Sequence, residues 1–254
     1  MPRFFLIVLM ILLSGLGTQA AVDVKPVKIP ILMYHHIRDT HPKDIPMLRN
    51  LSCPLETFQM HLQFLKERGY HTVTFREVKA YLEGEGKLPS KPVILTFDDG
   101  YDNNYWASLQ LQDYGMRGVF YVVTRTLNTP GHLSHDQIKD MHNFGMEIGS
   151  HSIHHADLRY LLSWKVKREI EESKKILEKI LEAPLVSFCY PSGAYNAQVL
   201  KIIKKSDYWF ARTTEPGISW ISGKHYELRT VRIYPTTTVD VLHNTFKKYF
   251  SNVR

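Results

Sequence analysis

The sequence predicts an α/β protein: a single domain over residues 21–254, built on a parallel sheet closed or nearly closed into a barrel. Three observations carry that reading. Short β-rich runs alternate with longer amphipathic stretches from Pro30 onward, strand then helix about seven times over. No low-complexity linker or internal repeat divides the chain, and a length of 254 residues is common for an α/β barrel that folds as one unit. A composition of 44% hydrophobic and 22% charged residues fills a core, which excludes a disordered tail, a collagen-like repeat and a polytopic membrane protein.

The elements follow in chain order. Residues 1–20 combine basic Arg3, an unbroken apolar run over 4–13 and the small-residue exit Thr18-Gln19-Ala20, the pattern of a cleaved signal peptide with Ala21 as the mature start. The apolar run falls short of the roughly 20 residues that cross a bilayer, so no stable membrane span is expected after cleavage and the mature protein is expected to be periplasmic or extracellular. Strands are expected over 31–35, 71–74, 93–98, 119–123, 146–150, 186–190, 208–211 and 230–234. Helices are expected over 55–68, 75–83, 103–114, 134–144, 163–182, 197–204 and 239–250, with Gly69, Gly115 and Gly145 at helix ends as C-caps. Within 163–182, Val166, Ile170, Leu177 and Leu181 recur near helical spacing while charges of both signs fill the other positions. That is a solvated outer helix rather than a nucleic-acid-binding stripe. The formal charge of +7 is scattered and includes Arg3 of the leader, so no nucleic-acid partner is expected.

Two residue counts direct the search for chemistry. Two cysteines exclude a cysteine-only zinc site and a disulfide-dense scaffold; Cys53 and Cys189 are either one disulfide, which export would permit, or two free buried thiols. Thirteen histidines are many, and imidazole is both a common metal ligand and the side chain that titrates nearest neutrality.

The strongest local signal is Pro92-Val93-Ile94-Leu95-Thr96-Phe97-Asp98-Asp99-Gly100, a buried strand ending in two carboxylates and a glycine turn. Active sites of parallel α/β folds assemble at such strand ends. Successive strand residues point to opposite sides, so Asp98 and Asp99 have different tasks: one can hold a metal while the other stays free as a base. A helix N-cap would need only one of them. The second signal, Gly149-Ser150-His151-Ser152-Ile153-His154-His155, delivers three histidines at another strand end. One helical turn would bring His151 and His155 to the same side and leave His154 off it, and with one Asp they form a two-histidine, one-carboxylate set suited to a catalytic divalent cation. A third strand end, Phe188-Cys189-Tyr190-Pro191-Ser192-Gly193, is a turn whose backbone N–H groups can face an oxyanion. The first strand ends at His35-His36, and His35 is a candidate general acid or base.

These residues resemble the polysaccharide deacetylase family, carbohydrate esterase family four. Thr96-Phe97-Asp98-Asp99-Gly100 matches its first motif and His151-Ser152-Ile153-His154-His155 its second, about fifty residues on. The resemblance runs from about Ile29 to the C-terminus and implies a distorted (β/α)7 barrel. It implies that Asp98 is the catalytic base and that Asp99, His151 and His155 bind a divalent metal, with zinc the expected ion. Met33-Tyr34-His35-His36 is similar to the branch acting on poly-N-acetylglucosamine, which would make His35 the catalytic acid. The third family motif, R-P-P-Y-G, aligns on Pro191 and Gly193 and puts Cys189 in the arginine position and Ser192 in the tyrosine position. Arg232 is the expected substitute for that arginine, and Tyr190, Pro191, Ser192 and Arg232 are the expected oxyanion and substrate contacts. His243, in the place of a late Leu-x-His motif, reads as a surface residue of a helix.

The implied reaction is metal-assisted removal of N-acetyl groups from an acetylated glycan, with exopolysaccharide, peptidoglycan and chitin-like chains all carrying the acetamide. The same site would also serve an O-acetyl ester or an N-formyl group. A non-catalytic glycan-binding protein that keeps the metal is the reading from another class, supported only by the missing motif-three arginine.

Overall fold

A computed structural model describes residues 24–250, and the expected signal peptide lies outside them. Seven strands form the barrel: β1 (Ile31–Tyr34), β2 (Pro92–Phe97), β3 (Val119–Val122), β4 (Glu147–Ser150), β5 (Ser187–Cys189), β6 (Phe210–Pro216) and β7 (His225–Arg232). Each pairs in parallel with the next, and β1 pairs with both β2 and β7, so the ring closes in sequence order. Closure removes the open edges that a sheet of this size would otherwise expose. The ring is uneven: β4 and β5 share a single residue pair, Ser150 with Phe188, and the β6–β7 register slips twice.

Besides a single short helix at Pro46–Asn50, seven longer helices are described around it: α1 (Leu55–Glu67), α2 (Phe75–Leu82), α3 (Asn103–Asp113), α4 (His135–Asn143), α5 (Ser163–Leu181), α6 (Ala197–Ile203) and α7 (Val239–Phe250). On α5, Val166, Ile170 and Leu177 are buried, each stabilising the fold by roughly 1.5–3 kcal/mol. Its outer face carries the i,i+4 pairs Lys167–Glu171 and Lys174–Glu178. No helix among the described residues is long and apolar enough to cross a membrane.

Three expected strands change, one of them the 230–234 run, which starts earlier at His225 and ends at Arg232. The 71–74 run contributes only His71–Thr72, which pairs with the first two residues of β2, Pro92 and Val93, and stays out of the ring. Thr74 is withdrawn from it because its hydroxyl accepts from the Glu77 N–H while Glu77 bonds back to the Thr74 N–H, a capping box that starts α2. The 208–211 run, in contrast, starts at Phe210 and runs on to Pro216.

Alternation sorts the strand residues into two layers. Val93, Leu95 and Phe97 of β2 pack outward beneath the helices, while Ile31, Ile94, Val119, Tyr121, Phe210 and Leu228 fill the barrel. An antiparallel ribbon of Val27–Ile29 with Ser219–Ile221 adds Ile29 and Ile221 to that inner cluster. The inward rows continue past the apolar fill to Asp98, His151, Cys189 and Arg232 at or just past the carboxyl ends of their strands, and to Arg212, the third residue of β6.

Candidate active site

A cavity of about 540 Å³ opens at those strand ends and is lined by His35, Asp98, Asp99, His151, His155, Tyr190, Ser192 and Arg232. Of the expected catalytic, metal and substrate-contact residues, only Pro191 is absent from its wall.

Asp98 continues the inward side of β2 and is buried. Its Oδ1 accepts a hydrogen bond from Arg212 Nη2, and its Oδ2 faces His35 Nε2 at 3.7 Å. Arg212 is wholly buried, and burial alone would depress its guanidinium; the Asp98 carboxylate outweighs that and holds it up. The arginine expected at position 189 is therefore present in space, supplied by the neighbouring strand β6. Arg232, expected in that role, instead lines the cavity near His35, with its Nε buried and unbonded. The strand expected over 208–211 stops one residue before Arg212, yet Arg212 shares the inward parity of Phe210, and that parity was the available signal.

Asp99 adopts φ +75°, a left-handed turn that aims its carboxylate back across the rim. Its Oδ1 lies 3.3 Å from His151 Nε2 and 3.3 Å from His155 Nε2. A charge-assisted N–H···O bond would be shorter, near 2.7–2.9 Å. Donor atoms around a tetrahedral ion with bonds of 2.0–2.1 Å sit about 3.4 Å apart, so the three side chains fit a divalent cation. Burial works to raise the Asp99 carboxyl, but His151, with His35 and His155 beyond it, holds it below the usual carboxylate range.

The histidines do not meet by a helical turn as expected. The segment after β4 is non-helical, with Ser152 at φ +68° and His155 at φ +54°, and these left-handed steps bring the two rings to 4.7 Å between centroids. His151 Nδ1 bonds the Cys189 carbonyl at 2.8 Å, which leaves Nε2 for the Asp99 side. His154 is turned to Glu169 on α5, 2.6 Å away, off the Asp99 set.

Asp98, His151 and Cys189 form a second group close enough to share an ion. There the Arg212 guanidinium already sits on Asp98 and on Cys189 Sγ at 3.0 Å, so the cation position is filled. Asp99, His151 and His155 remain the metal candidates. Cys53 and Cys189 are two free buried thiols.

The third turn is a single 3₁₀ turn, Pro191–Gly193, with Ser192 at φ +55°. Gly193 is required there: a Cβ would stand 2.5 Å from the Thr214 backbone nitrogen. The Gly193 and Ala194 N–H groups bond the carbonyls of Tyr190 and Pro191, and Pro191 has no N–H. Ser192 lines the cavity at this turn. Tyr190 is a wall rather than a donor, because its hydroxyl bonds the Tyr226 carbonyl. Tyr101, which the sequence reading did not place in the site, lines the same cavity and stacks on His36 at 3.5 Å. His35 has its pKa lowered by burial, with Asp98 and Asp99 opposing and Arg232 and Arg212 assisting. His243 lies half-buried on α7, edge-on to Phe64, away from the cavity.

Comparison with known proteins gives a consistent picture. Residues 85–211 match the sequence model of the polysaccharide deacetylase family. The chain is 34% identical over 212 residues to YxkH of Bacillus subtilis, itself named for that family, across 83% of this chain and 73% of that one. It is 27% identical over 146 residues to the Escherichia coli poly-β-1,6-N-acetyl-D-glucosamine N-deacetylase, which is 57% of this chain and 19% of that protein. Its fold superposes on the Streptococcus pyogenes deacetylase PplD in complex with acetate with a TM-score of 0.80 and 31% identity, across 87% of this chain and 99% of that one.

Proposed function

The chain belongs to the polysaccharide deacetylase family, and from that premise we propose that it is an exported, metal-dependent hydrolase that removes N-acetyl groups from an N-acetylglucosamine-containing polysaccharide. The observation that carries the proposal is the pair of adjacent carboxylates with separate partners: Asp98 on buried Arg212, Asp99 on His151 and His155. That division supports reading Asp98 as the base and Asp99 as a ligand.

A divalent ion held by Asp99, His151 and His155, zinc by the character of its donors, would supply Lewis-acid polarisation of the acetyl carbonyl and of a water. The remaining work falls to the chain. Arg212 fixes Asp98 through Oδ1 and leaves Oδ2 facing the cavity, where it takes a proton from the attacking water. Ser192 N–H donates to the oxyanion that forms at the former carbonyl. His35, beside Asp98 on the same wall, protonates the departing amine; burial lowers its pKa, which makes its imidazolium the stronger acid. The products are acetate and a glucosamine unit that is cationic near neutral pH.

The presence of Arg212 on Asp98 removes the one argument for a non-catalytic glycan binder. The likeness to the Escherichia coli N-deacetylase supports an amide over an ester. The test is a panel of N-acetylated, O-acetylated and N-formylated glycans given to the metal-reconstituted mature protein. Acetate released from N-acetylated chains in step with new free amines supports the proposal; release from esters alone would overturn it.

A further inference from the structure

Large exposed apolar side chains in a run call for an explanation. Tyr160, Leu162 and Trp164 are 82%, 65% and 59% exposed and lie just after the metal-candidate turn. Beside them is a second cavity of about 290 Å³, lined by His154, Leu161, Trp164, Lys165, Arg168 and Glu169. His154 lines this cavity and the catalytic one, so the two meet at its ring.

The junction is held firmly. Glu169 Oε2 accepts from the N–H groups of Ile153 and His154 at 2.9 Å each, and its Oε1 is 2.6 Å from His154 Nδ1. Trp164 and Arg168 ride on the same helix, α5, so the backbone that bears the indole keeps a set position relative to the turn that carries His151 and His155. A pyranose offers an apolar C–H face and an edge of hydroxyls. The groove offers an indole face beside a lysine, an arginine and an imidazole, which matches both. The Lys165 ammonium lies 5.4 Å from the Trp164 ring centroid and, being exposed, can turn from the ring to a hydroxyl.

We propose that this groove is a subsite for a further sugar of the glycan whose acetamide occupies the catalytic cavity, with Trp164 as its stacking platform. The proposal rests on the deacetylase reading above and adds to it a preference for long chains. Stacking of this kind is worth about tenfold in binding.

The test compares Trp164→Ala and Trp164→Phe with wild type on an N-acetylglucosamine disaccharide and hexasaccharide. The alanine variant is expected to keep the wild-type kcat/KM on the disaccharide and to lose about tenfold on the hexasaccharide, with the phenylalanine variant between. Equal effects on both lengths, or none, would overturn the subsite. Calorimetric binding of the hexasaccharide to wild type and Trp164→Ala separates this from the catalytic reading. A tenfold weaker affinity supports the subsite even where no acetate is released, and an unchanged affinity overturns it.

Discussion

The chemistry rests on how single side chains are partnered. Asp98, Asp99, His151 and His155 were legible in the sequence because the chemistry needs those residue types at strand ends. Arg212 was not legible, since a lone arginine at a predicted strand end ordinarily reads as solvent-facing, and here it lies buried on Asp98. Cys189 explains why the arginine comes from β6: its thiol leaves room for the guanidinium, which reaches across to Asp98 from Arg212. Replacing Arg212 by Met is expected to lower kcat by at least about a hundredfold while metal content stays at the wild-type level, because the proposed base loses its orientation and the proposed ligands do not. Metal analysis beside acetate-release kinetics checks both halves. His151→Ala is expected to do the reverse at the first step and to lose most of the bound metal; unchanged stoichiometry would remove His151 from the ligand set.

At the scale of elements, the order of strands and helices was readable, while several strand bounds and the turns were not. Spacing suggested a helical turn for 151–155; the chain instead takes left-handed steps at Ser152 and His155, as it does at Asp99 and Ser192. Such steps cost of order 1–3 kcal/mol each outside glycine and persist where surrounding bonds impose them. Here Glu169 pins the two residues between those steps, through its bonds to the Ile153 and His154 N–H groups. A buried charge inside a run of surface charges on α5 gave the sequence no sign of this role. Glu169→Gln is expected to weaken metal retention by about tenfold, measured by competition with a chelator, with both histidine ligands still present.

At the scale of the molecule, the barrel is a polar core as well as an apolar one. Glu147 is buried at the inner end of β4, where it accepts from Ser187 Oγ and from the Arg76 N–H that opens α2. Burial pushes its carboxyl up to about 7, with Ser187 and Arg76 pulling against it. The folded pKa stands above the unfolded one, so the protonated form is favoured by folding. Its stabilisation is complete below the ordinary glutamate value and is lost as pH rises through about 7. Glu147→Gln, which keeps the shape and removes the titration, is expected to flatten the melting temperature between about pH 5 and pH 8, where wild type declines. The closed ring aims every strand end at one mouth, and the account stands or falls on what happens there. The most direct measurement is acetate release from an N-acetylglucosamine polysaccharide by metal-loaded, chelator-stripped and Asp98→Asn protein, with bound metal quantified in each. Release is predicted from the metal-loaded wild type alone, with Asp98→Asn still holding its metal. Release that survives stripping, or that Asp98→Asn retains, would contradict the division of labour between the two aspartates.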